Sequence, residues 1–215
     1  MLYTQAVESH TLGLLEKLSA DNALNGFLLA GGTNLALRLG HRKSIDLDFF
    51  AYQHFDAISL SDYLIEKYNF KKQDVRVKDT IKGSIDNVKV DIIAHVYPLV
   101  DEPLLTNQGF RLYGLKDIVA MKLAAISDSG RRIKDFVDIA YLSTHFSFAQ
   151  MLDTYAEKYI NSSVLHAARG LVFFEDIDFD VPIDLMGNRC FEWINFKKRI
   201  YEMVQHENKI FEYDP

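Results

Sequence analysis

Residues 27–50, FLLAGGTNLALRLGHRKSIDLDFF, decide how this chain is read. The stretch opens with a short apolar run, breaks at Gly31-Gly32 and continues with helix-like residues. It closes on two aspartates, one residue apart, inside a second apolar run, Ile45-Asp46-Leu47-Asp48-Phe49-Phe50. Alternate side chains of a strand share a face, so Asp46 and Asp48 are expected to project together while Ile45, Leu47 and Phe49 point into the core. Two like charges on one strand face, amid apolar sequence, are costly unless something neutralises them. A divalent cation is the simplest candidate, because Mg2+ takes oxygen ligands, usually one or two carboxylates plus substrate phosphates. The glycine pair has a matching use. Lacking Cβ, it lets backbone N–H groups approach a phosphate at the start of a helix whose dipole favours an anion. One segment thus carries the parts of a metal site and of a nucleoside triphosphate site.

Working outward, residues 27–30 read as a short buried strand. Residues 33–39 read as a helix with Leu35 and Leu39 four apart, closed by Gly40, and 45–51 read as a second strand. Upstream, residues 4–18 have apolar positions at helical spacing. Downstream, 60–68 form an amphipathic helix. Residues 75–77, 81–85 and 88–94 read as three strands, with turn chemistry at Lys82-Gly83 and Asp86-Asn87. From Leu115 the pattern becomes almost wholly helical, at 115–127, 133–143, 148–159, 164–174 and 191–205, with the four prolines outside these segments. A boundary in the turn-rich region 98–112 predicts a core domain, 1–112, and a helical domain, 113–215. The fold class is α+β: a small mixed sheet with helices, followed by a helical half.

A chain of 215 residues can bury a real core. No apolar run approaches the roughly 18 residues of a membrane span, and MLYTQAVESH lacks the basic start and apolar run of a signal peptide. Cys190 is the single cysteine, which excludes an intrachain disulfide and predicts a cytoplasmic protein. A net charge of −6 argues against a general nucleic-acid coat protein but not against a nucleic-acid enzyme. Basic residues gather at Arg38-His41-Arg42-Lys43, Lys71-Lys72-Arg76-Lys78, Arg131-Arg132-Lys134 and Lys197-Lys198-Arg199. Such clusters are ordinarily solvated faces; those flanking a triphosphate site have the better case for binding. The histidines show no zinc spacing. The acidic run Glu175, Asp176, Asp178, Asp180, Asp184 lacks the glycine and spacing of an EF-hand and reads as a solvated loop.

A third carboxylate, Asp91, interrupts the apolar run 88–93. If its strand pairs with that of Asp46 and Asp48, the three can converge. Two divalent ions about 3.5–4 Å apart would then clamp the attacking and leaving oxygens of an in-line phosphoryl displacement. Asp46 and Asp48 are the expected metal ligands, Mg2+ or Mn2+, with Asp91 as a further ligand or general base. A lone strand aspartate is ordinarily a solvent-facing edge residue; here bulky apolar neighbours surround it. Gly32 and Thr33 are expected on the triphosphate, though Thr33 equally suits a helix N-cap. Arg42 and Ser44, just before the metal strand, are placed to touch phosphate, and Arg42 equally suits a surface charge. Lys122 lies mid-helix among Val119, Met121 and Leu123, where a lysine can snorkel to water. Asp135 and Asp138, three apart, share a helix face, and Asp135 also suits the start of a helix beside Arg131 or Arg132.

In this order, Gly31-Gly32-Thr33, Asp46-x-Asp48 and Asp91 resemble the nucleotidyltransferase superfamily typified by DNA polymerase beta. The string GGTNLALRLGHRKSIDLDFF resembles more narrowly the AbiEii/AbiGii nucleotidyltransferases, toxins of type IV toxin–antitoxin and abortive-infection systems. Lys122, Arg131 and Lys134-Asp135-x-x-Asp138 are similar to that group's fourth motif, and LVFFEDIDFDVP to its late aromatic-acidic stretch. The resemblance implies a helical half closing over the nucleotide, with Lys122 reaching the triphosphate and Arg131, Asp135 and Asp138 at the active site. It implies transfer of a nucleoside monophosphate from an NTP, with release of pyrophosphate, to an RNA 3′ end such as that of a tRNA, or to a protein hydroxyl. It also implies a cognate antitoxin. A non-catalytic nucleotide sensor on the same fold is the runner-up. A kinase is a third possibility, although P-loop and kinase motifs are missing.

Overall fold

A positive-φ pair, Asp86 (φ 49°) and Asn87 (φ 65°), turns strand β4 (Thr80–Ile85) back onto β5 (Val88–Ala94). Aspartate and asparagine tolerate this conformation, and it matches the twist of a two-residue hairpin. The computed structural model describes residues 2–74, 77–187 and 189–215. It divides into two units, Met1–Gly114 and Leu115–Pro215.

In the first unit β1 (Leu28–Leu29), β2 (Leu47–Ala51), β3 (Lys71–Lys72), β6 (Leu104–Leu105) and β7 (Arg111–Leu112) join that hairpin. They form a seven-stranded mixed sheet of order β3-β4-β5-β2-β1-β7-β6. β2 runs parallel to β5 and antiparallel to β1; β1 runs parallel to β7. Helices α1 (Ser9–Ser19), α2 (Gly31–Leu39) and α3 (Ala57–Tyr68) complete the unit. Its core is one apolar face of the sheet, with Leu47, Phe49, Ile81, Val90 and Ile92, packed with Leu14, Leu15, Leu18, Leu37 and Leu64 from the three helices. α2 ends at Gly40 in the left-handed conformation (φ 60°). α3 starts on the Asp56 carboxylate, which accepts from the N–H groups of Ile58 and Ser59.

Several local expectations are corrected. Ile45 is 50% exposed, because β2 begins only at Leu47. Lys82-Gly83 is not a turn but the middle of β4. A Cβ at Gly83 would press on the Lys71 carbonyl and the Phe70 ring, so glycine is there to let β3 lie close. Of the strand expected at 75–77, Val75 and Arg76 lie outside the described residues, and Val77 is not in a strand. The first helix splits into a 3₁₀ turn, Thr4–Ala6, and α1.

The second unit is helical: α4 (Leu115–Ser129), α5 (Ile133–Leu142), α6 (Phe148–Lys158), α7 (Val164–Leu171) and α8 (Trp193–Gln205). Nearly every side chain of α5 is buried. α6 opens with a capping box between Ser147 and Gln150. A fully buried ion pair, Lys158 Nζ to Asp117 Oδ1 at 2.7 Å, ties α6 to α4. Among the described residues, no helix is long and apolar enough to cross a membrane.

Candidate active site

The parallel pairing of β2 with β5 sets Asp48 directly opposite Asp91. Directly opposite residues share a face, so both carboxylates stand on the sheet face away from the apolar core. Asp91 is 4% exposed, and its Oδ1 has no hydrogen-bond partner. Its Oδ2 faces two ammonium groups, Lys82 Nζ at 3.5 Å and Lys89 Nζ at 3.3 Å. Like charges set opposite one another destabilise a sheet, and these lysines offset that cost. Neither lysine stood out in the sequence. The signal was available, because Lys89 is two residues from Asp91 in an alternating strand, but Lys82 is brought there only by the β4–β5 register.

The glycine turn lies on the other flank of Asp48. The Ala30 N–H donates to the Asp48 carbonyl (2.8 Å), which draws the start of α2 onto β2. Gly31 has φ 65°, and a Cβ there would come closer than 3.0 Å to Asp48 Oδ2. Only glycine meets both conditions. A Cβ at Gly32 would strike the Arg42 guanidinium. No side chain caps this end of α2, and the first N–H groups of a helix have no acceptor within it. The turn thus offers N–H donors and the positive end of a helix dipole beside a carboxylate.

Thr33, Arg42 and Ser44 are buried behind this turn. Thr33 Oγ1 donates to the Asp46 carbonyl and shares a 2.8 Å hydrogen bond with Ser44 Oγ. Thr33 is therefore not the N-cap; it fastens α2 to the segment that leads into β2. Arg42 is 3% exposed, which removes the surface-charge reading, and it donates to the Lys43 carbonyl. Asn34 was not singled out in the sequence. Its amide donates to the carbonyls of Leu29 and Tyr113, locking α2 to β1 and to the residue after β7. Asp46 precedes β2 and is half-buried. Among the described residues, no group of three or more His, Cys, Asp or Glu side chains is gathered closely enough to hold a metal. The opposed pair with its orphaned Oδ1 does suit a hard cation that takes one or two carboxylates and completes its shell with substrate oxygens.

In the helical unit, Lys122 does not snorkel. Its ammonium is buried between Asp135 Oδ1 (2.6 Å) and Asp138 Oδ2 (2.7 Å), linking α4 to α5. Asp135 also sits in the first turn of α5, with Arg132 Nε at 3.6 Å from its Oδ2. Arg131 is exposed. Its carbonyl accepts from the Asp178 N–H (2.9 Å), so the aromatic-acidic stretch runs beside the start of α5. The carboxylates of that stretch are exposed, as a solvated loop requires.

The sheet, with a glycine turn and a carboxylate on its second strand, defines an α+β nucleotidyltransferase core. Two solved structures share this fold over nearly their whole length. One is a candidate nucleotidyltransferase of H. pylori (TM-score 0.56, 18% identity, 94% of this chain and 96% of that one). The other is an antigenic nucleotidyltransferase-like protein of Paracoccidioides brasiliensis (TM-score 0.52, 15% identity, 96% and 99%). The family model for the nucleotidyl transferase AbiEii toxin of type IV toxin–antitoxin systems matches residues 13–183, and the chain belongs to that family. An uncharacterized protein of Aquifex aeolicus (strain VF5) is 35% identical over 199 residues, spanning 89% of this chain and 95% of the relative.

Proposed function

We propose that this chain transfers a nucleoside monophosphate from an NTP to an acceptor hydroxyl, an RNA 3′ end or a protein side chain. We further propose that it does so as the toxin partner of a cognate antitoxin. What carries the reading is the register that sets Asp48 opposite Asp91, with the Gly31-Gly32 turn against Asp48. The opposed Asp48 and Asp91 would hold Mg2+ or Mn2+, which when bound neutralises phosphate charge and polarises the reacting phosphoryl group, and Asp46 enters the ligand set through its motif position alone. The N–H groups at the start of α2 bind and orient the triphosphate. Thr33, Arg42 and Ser44 keep that turn in place from behind. The acceptor oxygen forms a bond to the α-phosphorus as the bond to the α–β bridging oxygen breaks. Pyrophosphate leaves with the electron pair, and Asp91 takes the hydroxyl proton. Lys122, Arg131, Asp135 and Asp138 enter this reading through their motif order, with the buried triad fixing the lysine's position.

The test follows α-phosphate label from each NTP into total RNA and into protein, with Asp48→Asn alongside. The expected result is transfer by the wild type and none by a folded Asp48→Asn protein. Undiminished transfer by the variant overturns the reading. The two lysines on Asp91 favour one rival, a nucleotide sensor without turnover. That rival predicts tight calorimetric binding of Mg-NTP with no pyrophosphate formed.

A further inference from the structure

Two sequence clusters of opposite charge meet around one patch of exposed rings in the helical unit. The aromatic-acidic stretch sets Phe174 and Phe179 edge-to-face against Trp193 at the start of α8, with ring centroids 5.4 and 5.7 Å away. Phe174 also meets Tyr201, and the Lys197 ammonium lies over both of those rings. This packing ends in water. Phe179 is 54% exposed, Tyr201 43%, and Ile194, the neighbour of Trp193, 66%. At about 3.6 residues per turn, Trp193, Ile194, Lys197, Tyr201 and Val204 fall within an arc of about 100° on α8. The helix buries a different arc, through Phe196, Ile200 and Met203. α8 therefore carries a second apolar stripe that its own unit leaves open, and an exposed apolar patch with a polar rim marks an interaction site.

The rim says what covers it. The Trp193–Lys197 border of the stripe faces the acidic stretch, where the exposed Asp178 and Asp180 flank Phe179 in the chain. Lys198 lies on the opposite border, in a surface pair with Glu202 at 3.8 Å that is worth little in water and easily exchanged. A basic partner would meet the lysines of the patch, and an acidic one its aspartates. A face with acids on one border and a cation on the other complements itself about a two-fold axis. We infer that this face joins two copies of the chain in an isologous dimer. Phe179, Trp193, Ile194 and Tyr201 pack about the axis, where interfaces favour aromatic residues, and Asp178 and Asp180 of each copy face Lys198 of the other.

The test is the oligomeric state, by sedimentation velocity of the whole chain over a concentration series at low and high salt. The wild type should show a monomer–dimer equilibrium that weakens as salt rises. A substitution enters a two-fold contact twice, so Lys198→Glu and Asp178→Lys/Asp180→Lys should each raise the dimer dissociation constant roughly tenfold or more. Mixed one to one, these two variants should pair with each other and restore the dimer, because every reversed charge then meets its opposite. Ile194→Asp, introduced into both, should abolish the mixed dimer. All four positions are exposed, and melting curves check that each variant folds. A chain that stays monomeric throughout the series, leaving the face to some other partner, overturns the inference. So do dimers indifferent to these substitutions, and reversed variants that do not pair on mixing or that pair as well without Ile194.

Discussion

Replacing Gly31 with alanine separates two costs that the structure places at one atom. The first is conformational: at φ 65° an L-residue pays about 1–2 kcal/mol. The second is steric. The added methyl would lie 3.0 Å from Asp48 Cγ and closer still to Oδ2, so the carboxylate must leave its rotamer, at about 0.5–1.5 kcal/mol. Together they predict a loss of about 1.5–3.5 kcal/mol. That corresponds to a fall in melting temperature of roughly 3–14 °C for a chain of this size. The effect on transfer should be larger than the effect on stability, because displacing a reacting group by an ångström costs about a hundredfold. A double-mutant cycle with Asp48→Ala isolates the steric part. In the Asp48→Ala background, Gly31→Ala should cost only the conformational 1–2 kcal/mol. Thermal melts by circular dichroism and transfer of α-labelled NTP are the assays. Wild-type melting and transfer in Gly31→Ala, or an equal cost in both backgrounds, would refute the placing of Gly31 against the Asp48 carboxylate.

Lys122→Ala leaves the buried carboxylates of Asp135 and Asp138 without their shared cation and should destabilise the protein by about 3–5 kcal/mol in urea titration; a loss under 1 kcal/mol would show the triad to be hydrated. Gly83→Ala drives a methyl into the Lys71 carbonyl and the Phe70 ring; a loss of about 1–3 kcal/mol is expected, and faster amide exchange at Lys71 and Lys72 would locate it. Burial raises the pKa of Asp21, but hydrogen bonds from Tyr68, Lys67, the Ala23 N–H and Tyr63 outweigh it and hold the group down to about 2, from 3.8. A depressed acid stabilises the fold above its unfolded pKa and loses that contribution as pH falls through the folded one. The drop corresponds to about 2 kcal/mol. Asp21→Asn should therefore lower stability near neutral pH by about that amount and flatten the acid limb of the stability curve between pH 3.8 and about 2; a parallel acid limb in both proteins would contradict the assignment.

What the sequence determined by itself is local. Gly31, Gly40 and Asp86-Asn87 mark backbone that ordinary residues avoid, and the alternation in 45–51 and 88–94 marks strands with one apolar face. These suffice for the α+β class and for marking Asp48 and Asp91 as charges set in apolar strands, because each is a property of neighbours in the chain. Register and partner choice are not. The pairing Asp48–Asp91, the lysines that meet Asp91, and the bonds from Asn34 to β1 and Tyr113 depend on which strands lie side by side. The joining of Asp117 to Lys158, 41 residues away, depends on how two helices pack. The two-residue strands β6 and β7 are too short to carry any alternation at all. Lys82 shows the division most plainly. In the sequence it sits beside a glycine and reads as a turn; in the sheet the same lysine is a cation across from a buried acid, because long-range hydrogen bonding, not local preference, fixed its place.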